Sequence, residues 1–362
     1  MAIGKKGIFF TLIALAIVFL LIITFGGMHT ISTVEEIPAI NAKVLRTNEF
    51  VKDVEQYYLE TILRIAAFRT FKAMGELIDQ GIQGFLPEDF EDHFDDCITD
   101  GDCDYVDLDG NLGNLGGLGN YTLEKLLEDL GETAESELHI DANFTKQGNV
   151  TLYQDNSTGP FHVGLVYTVF YTVECEEAGW ERNTTINTTL HIIGLDDPLY
   201  ANYTSYMMAI MPTKYQHWTE EQDTTAQFLE IVNNMEFVYS PYAPSYLNRL
   251  SGNITPSECC GIESFINVDT TPLLGNKPAS FADYCYFYSS AADDPAAGCT
   301  FEDKGGWVWK VDGITDGEGG NVTSFKLDAE TIRWYNLKKA TPSCYWNETG
   351  WEEIPSGGGG CD

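Results

Sequence analysis

Lys5-Lys6-Gly7 runs directly into an uncharged apolar stretch, Ile8 to Phe25, and this order of parts constrains the chain more than anything else in it. Thr11 and Thr24 are the only polar side chains in the stretch, which as a helix of 18 residues would reach about 27 Å, close to a hydrocarbon core. Lys5 and Lys6 precede it and Glu35 and Glu36 follow it. The positive-inside bias therefore predicts a cytoplasmic N-terminus and an exported remainder, at the cell surface or outside the cell.

Asparagine sequons agree with export. The N-x-S/T pattern recurs at Asn120, Asn143, Asn149, Asn156, Asn183, Asn187, Asn202, Asn253, Asn321 and Asn347, and never before residue 120. The expectation is a shielded N-terminal third and a remainder carrying N-linked glycans.

Charge divides the chain at nearly the same place. Residues 1–90 carry eight Lys+Arg and ten Asp+Glu, so almost all of the net charge of −35 belongs to the rest. Such a surface repels phosphate backbones, and nucleic acid is excluded as a partner.

All nine cysteines, Cys97, Cys103, Cys175, Cys259, Cys260, Cys285, Cys299, Cys344 and Cys361, follow the apolar stretch, and none forms a compact zinc-ligand pattern. Disulfides are the expectation for an oxidising exterior. Sequence proximity favours Cys97 with Cys103, Cys285 with Cys299 and Cys344 with Cys361, leaving Cys175 to reach Cys259 or Cys260.

From Ile31 to Ile82 apolar residues recur at helical spacing, through Ile37, Ile40, Val44, Val51, Val54, Tyr58, Ile62, Ile65, Phe68, Phe71, Met74, Leu77 and Ile78. The spacing predicts an amphipathic helix within residues 26–85, packed either on a helical partner or on its own C-terminal head. Arg46, Lys52, Asp53, Glu55, Glu60 and Arg69 lie mostly off the stripe, facing water or a neighbouring subunit.

Residues 86–119 read as an acidic, Gly-rich connector. Asp102, Asp104, Asp107 and Asp109 are candidate Ca²⁺ ligands, because hard cations take several oxygen donors. The run departs from an EF-hand, with Gly116 where the closing Glu would stand; the other reading is a solvated acidic loop closed by Cys97 and Cys103.

Residues 120–362 read as an α+β head. Asn120 is placed to cap a helix over Thr122–Glu137, in which Leu123, Leu126, Leu127 and Leu130 share a face. The period then changes to two along Val163, Leu165, Tyr167, Val169, Tyr171 and Val173. A turn over Gly179–Asn183 and a return over Thr184–Ile193 complete a long antiparallel hairpin. Further expectations are a helix from Thr224 to Asn234 and a strand at Trp307–Val311.

Catalytic motifs are absent. The six histidines are scattered, there is no G-x-S-x-G or H-E-x-x-H, and Gly113–Gly119 lacks the Lys and Ser/Thr of a phosphate loop. His93, within Phe90-Glu91-Asp92-His93-Phe94-Asp95-Asp96, reads as part of an acidic exposed loop. A non-enzyme without a catalytic or cofactor site is expected.

The basic leader ending in Gly7, followed by Ile8-Phe9-Phe10, resembles the class III signal peptides of archaeal type IV pilin-like surface proteins. Asn48 to Glu55, Ala66 to Arg69 and Gly194 to Tyr200 are similar to segments of uncharacterised archaeal secreted proteins. The resemblance implies cleavage between Gly7 and Ile8 by a prepilin peptidase, then homo-oligomeric assembly through residues 8–25 by pilus machinery. Leu12 stands where bacterial pilins carry Glu, and the head is large for a major pilin. The expected organisation is a leader (1–7), a membrane and filament-core helix (8–25), the amphipathic helix, the connector and the glycosylated head. The function expected is an adhesive surface filament subunit, the alternative being a single-pass anchored adhesin or receptor.

Overall fold

The computed structural model describes residues 36–79, 90–106, 112–114, 118, 121–176, 178–203, 208–215, 225–266, 280–284, 308–310, 324–326, 334–335, 344–347 and 350–353. The leader, the apolar stretch 8–25, Gly7, Ile8, Asp107, Asp109, Asn120, Asn321, Cys285, Cys299 and Cys361 lie outside the described residues. Among the described residues no helix is long and apolar enough to cross a membrane.

The architecture is helix on antiparallel sheet. Helix α1 (Glu36–Asp53) passes through a π-helical turn, Val54–Tyr58, into α2 (Leu59–Asp79). Together these form a rod roughly 65 Å long. Its buried face runs through Phe50, Val51, Val54, Leu59, Ile62, Leu63, Ala66, Ala67, Phe71, Met74, Leu77 and Ile78.

That face departs from the regular stripe. Tyr58 and Ile65, expected inside, are 44% and 41% exposed, whereas Leu59, Leu63 and Ala66 are fully buried. The cause is the π-turn: the Leu59 N–H donates to the Val54 carbonyl, five residues back, so one extra residue is accommodated. Leu59 and Ala66 thereby take the inward places expected of Tyr58 and Ile65, while Ile62, Phe71, Met74, Leu77 and Ile78 are buried as the stripe requires. The partner is the chain's own head, since α1 contacts β4 (His162–Cys175) and α2 contacts β5 (Ala178–His191).

Helix α3 (Phe90–Thr99) and the short hairpin of β1 (Asp104–Val106) and β2 (Leu112–Asn114) occupy the expected connector. Phe90–Asp96 is therefore helix rather than exposed loop, and Phe94, Asp95, Cys97 and Ile98 are buried. Phe94 packs on Phe71 of α2 with ring centroids 4.9 Å apart, which closes this helix onto the rod.

Helix α4 (Leu123–Thr133) is capped by Thr122, not Asn120: the Thr122 hydroxyl accepts the Lys125 N–H at 3.2 Å. A second π-turn, Ala134–Leu138, and left-handed His139 lead into β3 (Asp141–Tyr153). Strands β3, β4 and β5 form a three-stranded antiparallel sheet with β4 central.

The apolar set of β4, Val163 to Val173, is buried under the helices at every second position, as the alternation requires. The return strand is longer than the sequence pattern indicates, because Cys175 pairs with Ala178 and Trp180 with Val173. Residues 179–183 thus lie in β5 rather than in a turn. At the other end the Tyr153 ring covers Gly164, where an added Cβ would come within 2.2 Å of the ring.

The rest of the head comprises α5 (Pro198–Tyr203), α6 (Thr225–Asn234), α7 (Tyr246–Leu250) and a short pair of β6 (Val238–Tyr239) with β7 (Ile262–Glu263). A second sheet takes β8 (Phe265–Ile266), β9 (Ser280–Ala282), β10 (Val308–Lys310), β11 (Ser324–Lys326), β12 (Cys344–Asn347) and β13 (Gly350–Glu353). Strands β9 and β11 run parallel, a departure from the all-antiparallel head expected.

Candidate functional site

The rod is fixed to the sheet by polar contacts as well as by its apolar face. Glu55 in the π-turn accepts a hydrogen bond from the Tyr171 hydroxyl at 2.6 Å and pairs with Arg182 at 3.3 Å. One turn on, Glu60 accepts from the Thr188 hydroxyl at 2.8 Å. Glu55 and Glu60, expected to face water or another subunit, bind the chain's own sheet instead. Burial, then the Glu55 carboxylate, push the Tyr171 phenol well above its ordinary pKa, so it stays a donor. On the opposite side of the rod Leu45, Tyr57, Tyr58 and Ile65 remain exposed.

The face of the sheet turned away from the rod carries hydroxyls and amides. Thr168 and Thr185 share a hydrogen bond across the strands at 2.9 Å, and the Tyr153 hydroxyl donates to the Asn187 amide oxygen at 2.8 Å. The sequon residues Asn143, Asn183 and Asn187 are exposed on this face. Asn149 and Asn156 are exposed at the β3 bulge and the following turn, whereas Asn253 is half-buried. The side chains of Asn202 and Asn347 lie outside the described residues, as do Asn120 and Asn321.

The bulge between Gln147 and Thr151 shows why α3 is acidic. Asp95 accepts the Val150 N–H at 2.6 Å, filling the gap that the bulge leaves in the ladder, and pairs with Lys146 at 2.6 Å. The nearly buried carboxylate is a structural clasp between helix and strand. A groove between α4 and β3 is bordered by Glu128, Glu132, Glu135 and Asp141 together with Lys125 and Lys146, so acids outnumber bases along it.

For the Ca²⁺ candidates, Asp102 is exposed, its N–H donating to Asp100 at 2.9 Å, and only the backbone of Asp104 is described. Among the described residues no group of three or more His, Cys, Asp or Glu is arranged to hold a metal ion.

The cysteines are brought together differently from the expectation. Cys97 and Cys103 are bridged, as their proximity requires. Cys175, however, is unbridged among the described residues, at the β4–β5 turn, and Cys259 and Cys260 are bonded to each other. The Cys260 sulfur lies 3.2 Å from the Asp155 carbonyl, near the opposite end of the sheet. A strand the length of β4 spans about 40 Å, too far for a bridge from Cys175. Only the backbone of Cys344 is described.

Sequence reasoning missed one constellation altogether. Arg249 in α7 is fully buried, donating to Asp197 at 2.6 Å and to Asp283 at 2.8 and 3.0 Å. Its guanidinium also bonds the Ile262 carbonyl, while Asp283 accepts from the Ser264 N–H and hydroxyl. Nearby Tyr335 donates to buried Glu263. The cluster joins the start of α5, α7, the β7–β8 segment and the end of β9. Only a lone arginine among apolar residues, Tyr246-Leu247-Asn248-Arg249-Leu250, signals it in the sequence.

No protein-family model matches the chain, and no curated protein or solved structure is significantly similar to it.

Proposed function

We infer that the chain is a structural subunit of an archaeal extracellular filament, displaying a glycosylated head on a helical stem. The observation that supports this reading is the rod over residues 36–79. From Phe50 onward it is bound into the head, whereas most of the side chains between Ala42 and Glu49 are exposed. The rod thus presents an exposed N-terminal end, and in the sequence the apolar residues 8–25 precede that end.

A helix cleaved after Gly7 loses the cytoplasmic charges of Lys5 and Lys6. It is then free to exchange lipid for copies of itself, at about 25 cal/mol per Å² of apolar surface buried. Contacts repeated by a rotation that does not close produce an open fibre.

Two measurements on sheared native cell-surface material test the reading. Mass spectrometry should find an N-terminus at Ile8, and negative-stain images should show uniform fibres. An N-terminus at Met1 or Ala2, with protein recovered only from detergent-extracted membranes, would instead identify a single-pass anchored glycoprotein.

A further inference from the structure

One end of the sheet's outer face holds two imidazoles side by side. His162 of β4 and His191 of β5 are directly opposed in the antiparallel register, with ring centroids 4.0 Å apart and planes inclined by 50°. Their neighbours Val163 and Leu190 point into the core, so both rings stand on the face away from the rod. His162 is half-buried and His191 exposed.

The pair differs from the other polar residues of that face. Thr168 with Thr185 and Tyr153 with Asn187 satisfy each other by hydrogen bonds, but the ring nitrogens of His162 and His191 make none among the described residues. Neutral imidazoles keep a lone pair on one nitrogen each, the form in which histidine binds metal.

We propose that His162 and His191 form a two-histidine clamp for a divalent transition cation of the zinc class on the outer face of the sheet. Tetrahedral coordination at metal–nitrogen distances of about 2.0–2.1 Å places two donor nitrogens about 3.3 Å apart. Side-chain rotation within the observed ring spacing provides this, and water completes the shell. Imidazole selects Zn²⁺, Cu²⁺ or Ni²⁺ over Ca²⁺ and Mg²⁺, which take oxygen ligands. A bound ion would tie β5 to β4 beside the point where the Ile192 N–H donates to the Phe161 carbonyl at 3.1 Å.

The test uses the full chain in detergent, without a histidine tag, and with excess Ca²⁺ present to occupy surface carboxylates. Calorimetric titration with Zn²⁺ at neutral pH should give one equivalent bound with a dissociation constant on the order of micromolar. H191Q and H162Q should each weaken that binding by at least about tenfold, and Cu²⁺ electron paramagnetic resonance should lose nitrogen couplings from two imidazoles to one. His191 is exposed, so unfolding of H191Q in chelator, matching wild type, verifies an intact fold. Zn²⁺ binding of equal strength in wild type and H191Q, or none tighter than about millimolar, would overturn the clamp.

Discussion

Arg249 donates to Asp197 at 2.6 Å with both side chains fully shielded from solvent, and Asp283 takes the other edge of the same guanidinium. Removing one member of such a buried set leaves uncompensated charge behind. Arg249→Met should therefore destabilise the head by about 3–5 kcal/mol, measured by chemical denaturation. A loss below about 1 kcal/mol would mean that the two aspartates carry no charge requiring the arginine.

The same cluster gives a pH dependence of defined sign. Burial pushes the Asp197 pKa up to about 6, with Arg249 pulling it down and Asp283 adding to the rise. In the unfolded chain the value is about 3.9, so between there and about 6 the folded state holds a proton that the unfolded state has released. This contribution is fully present below the unfolded value and lost as pH rises through the folded one, on the order of 2–3 kcal/mol in all. Unfolding free energies across that window should fall more steeply with pH for wild type than for Asp197→Asn. Parallel slopes would remove Asp197 as the responsible group.

Residues whose environment is local were legible in the sequence, and those whose partners are remote were not. The alternation from Val163 to Val173 announces β4 because one face of that strand is Val, Leu and Tyr throughout and is buried. Strand β3 is silent: Val150 and Leu152 are its only buried residues, and its remaining polar side chains look like a loop. The start of β5 was concealed in the same way, since Arg182 faces the rod only because Glu55 waits there, 127 residues earlier. Asp197 and Asp283 are likewise two ordinary acids until Arg249 stands between them.

The rod-to-sheet clasp should show as coupling. Tyr171→Phe and Glu55→Ala each remove one partner of the 2.6 Å hydrogen bond, and a double-mutant cycle isolates it. Glu55 keeps 27% of its side-chain surface exposed, so the coupling should be about 1 kcal/mol, below the range for a fully buried charged hydrogen bond. Additive losses would show that this hydrogen bond does not help to hold the rod to the sheet.

Glycan occupancy should follow exposure. Glycopeptide mass spectrometry should find sugars at Asn143, Asn183 and Asn187 on the outer face and low occupancy at half-buried Asn253. Unmodified peptides at all three outer-face positions would contradict a sugar-coated sheet.

The π-turn makes opposite predictions for two single-residue deletions in the rod. A π-turn absorbs one surplus residue while leaving the helices on either side in register. Removing exposed Gln56 from Val54–Tyr58 brings Leu59 four positions after Val54, where a plain α-helix still presents it to the sheet. That deletion keeps Glu55 in place and should cost within about 1 kcal/mol. Removing equally exposed Thr61 has no surplus residue to absorb it and turns the following helix by about 100°. Leu63, Ala66, Ala67, Phe71 and Met74 would then rotate away from the core they fill. Each large apolar side chain withdrawn costs about 2–5 kcal/mol, enough in sum to unfold the domain. Thermal melts of the two variants separate the cases: similar destabilisation of both would mean that the extra residue at the turn does not set the helix register.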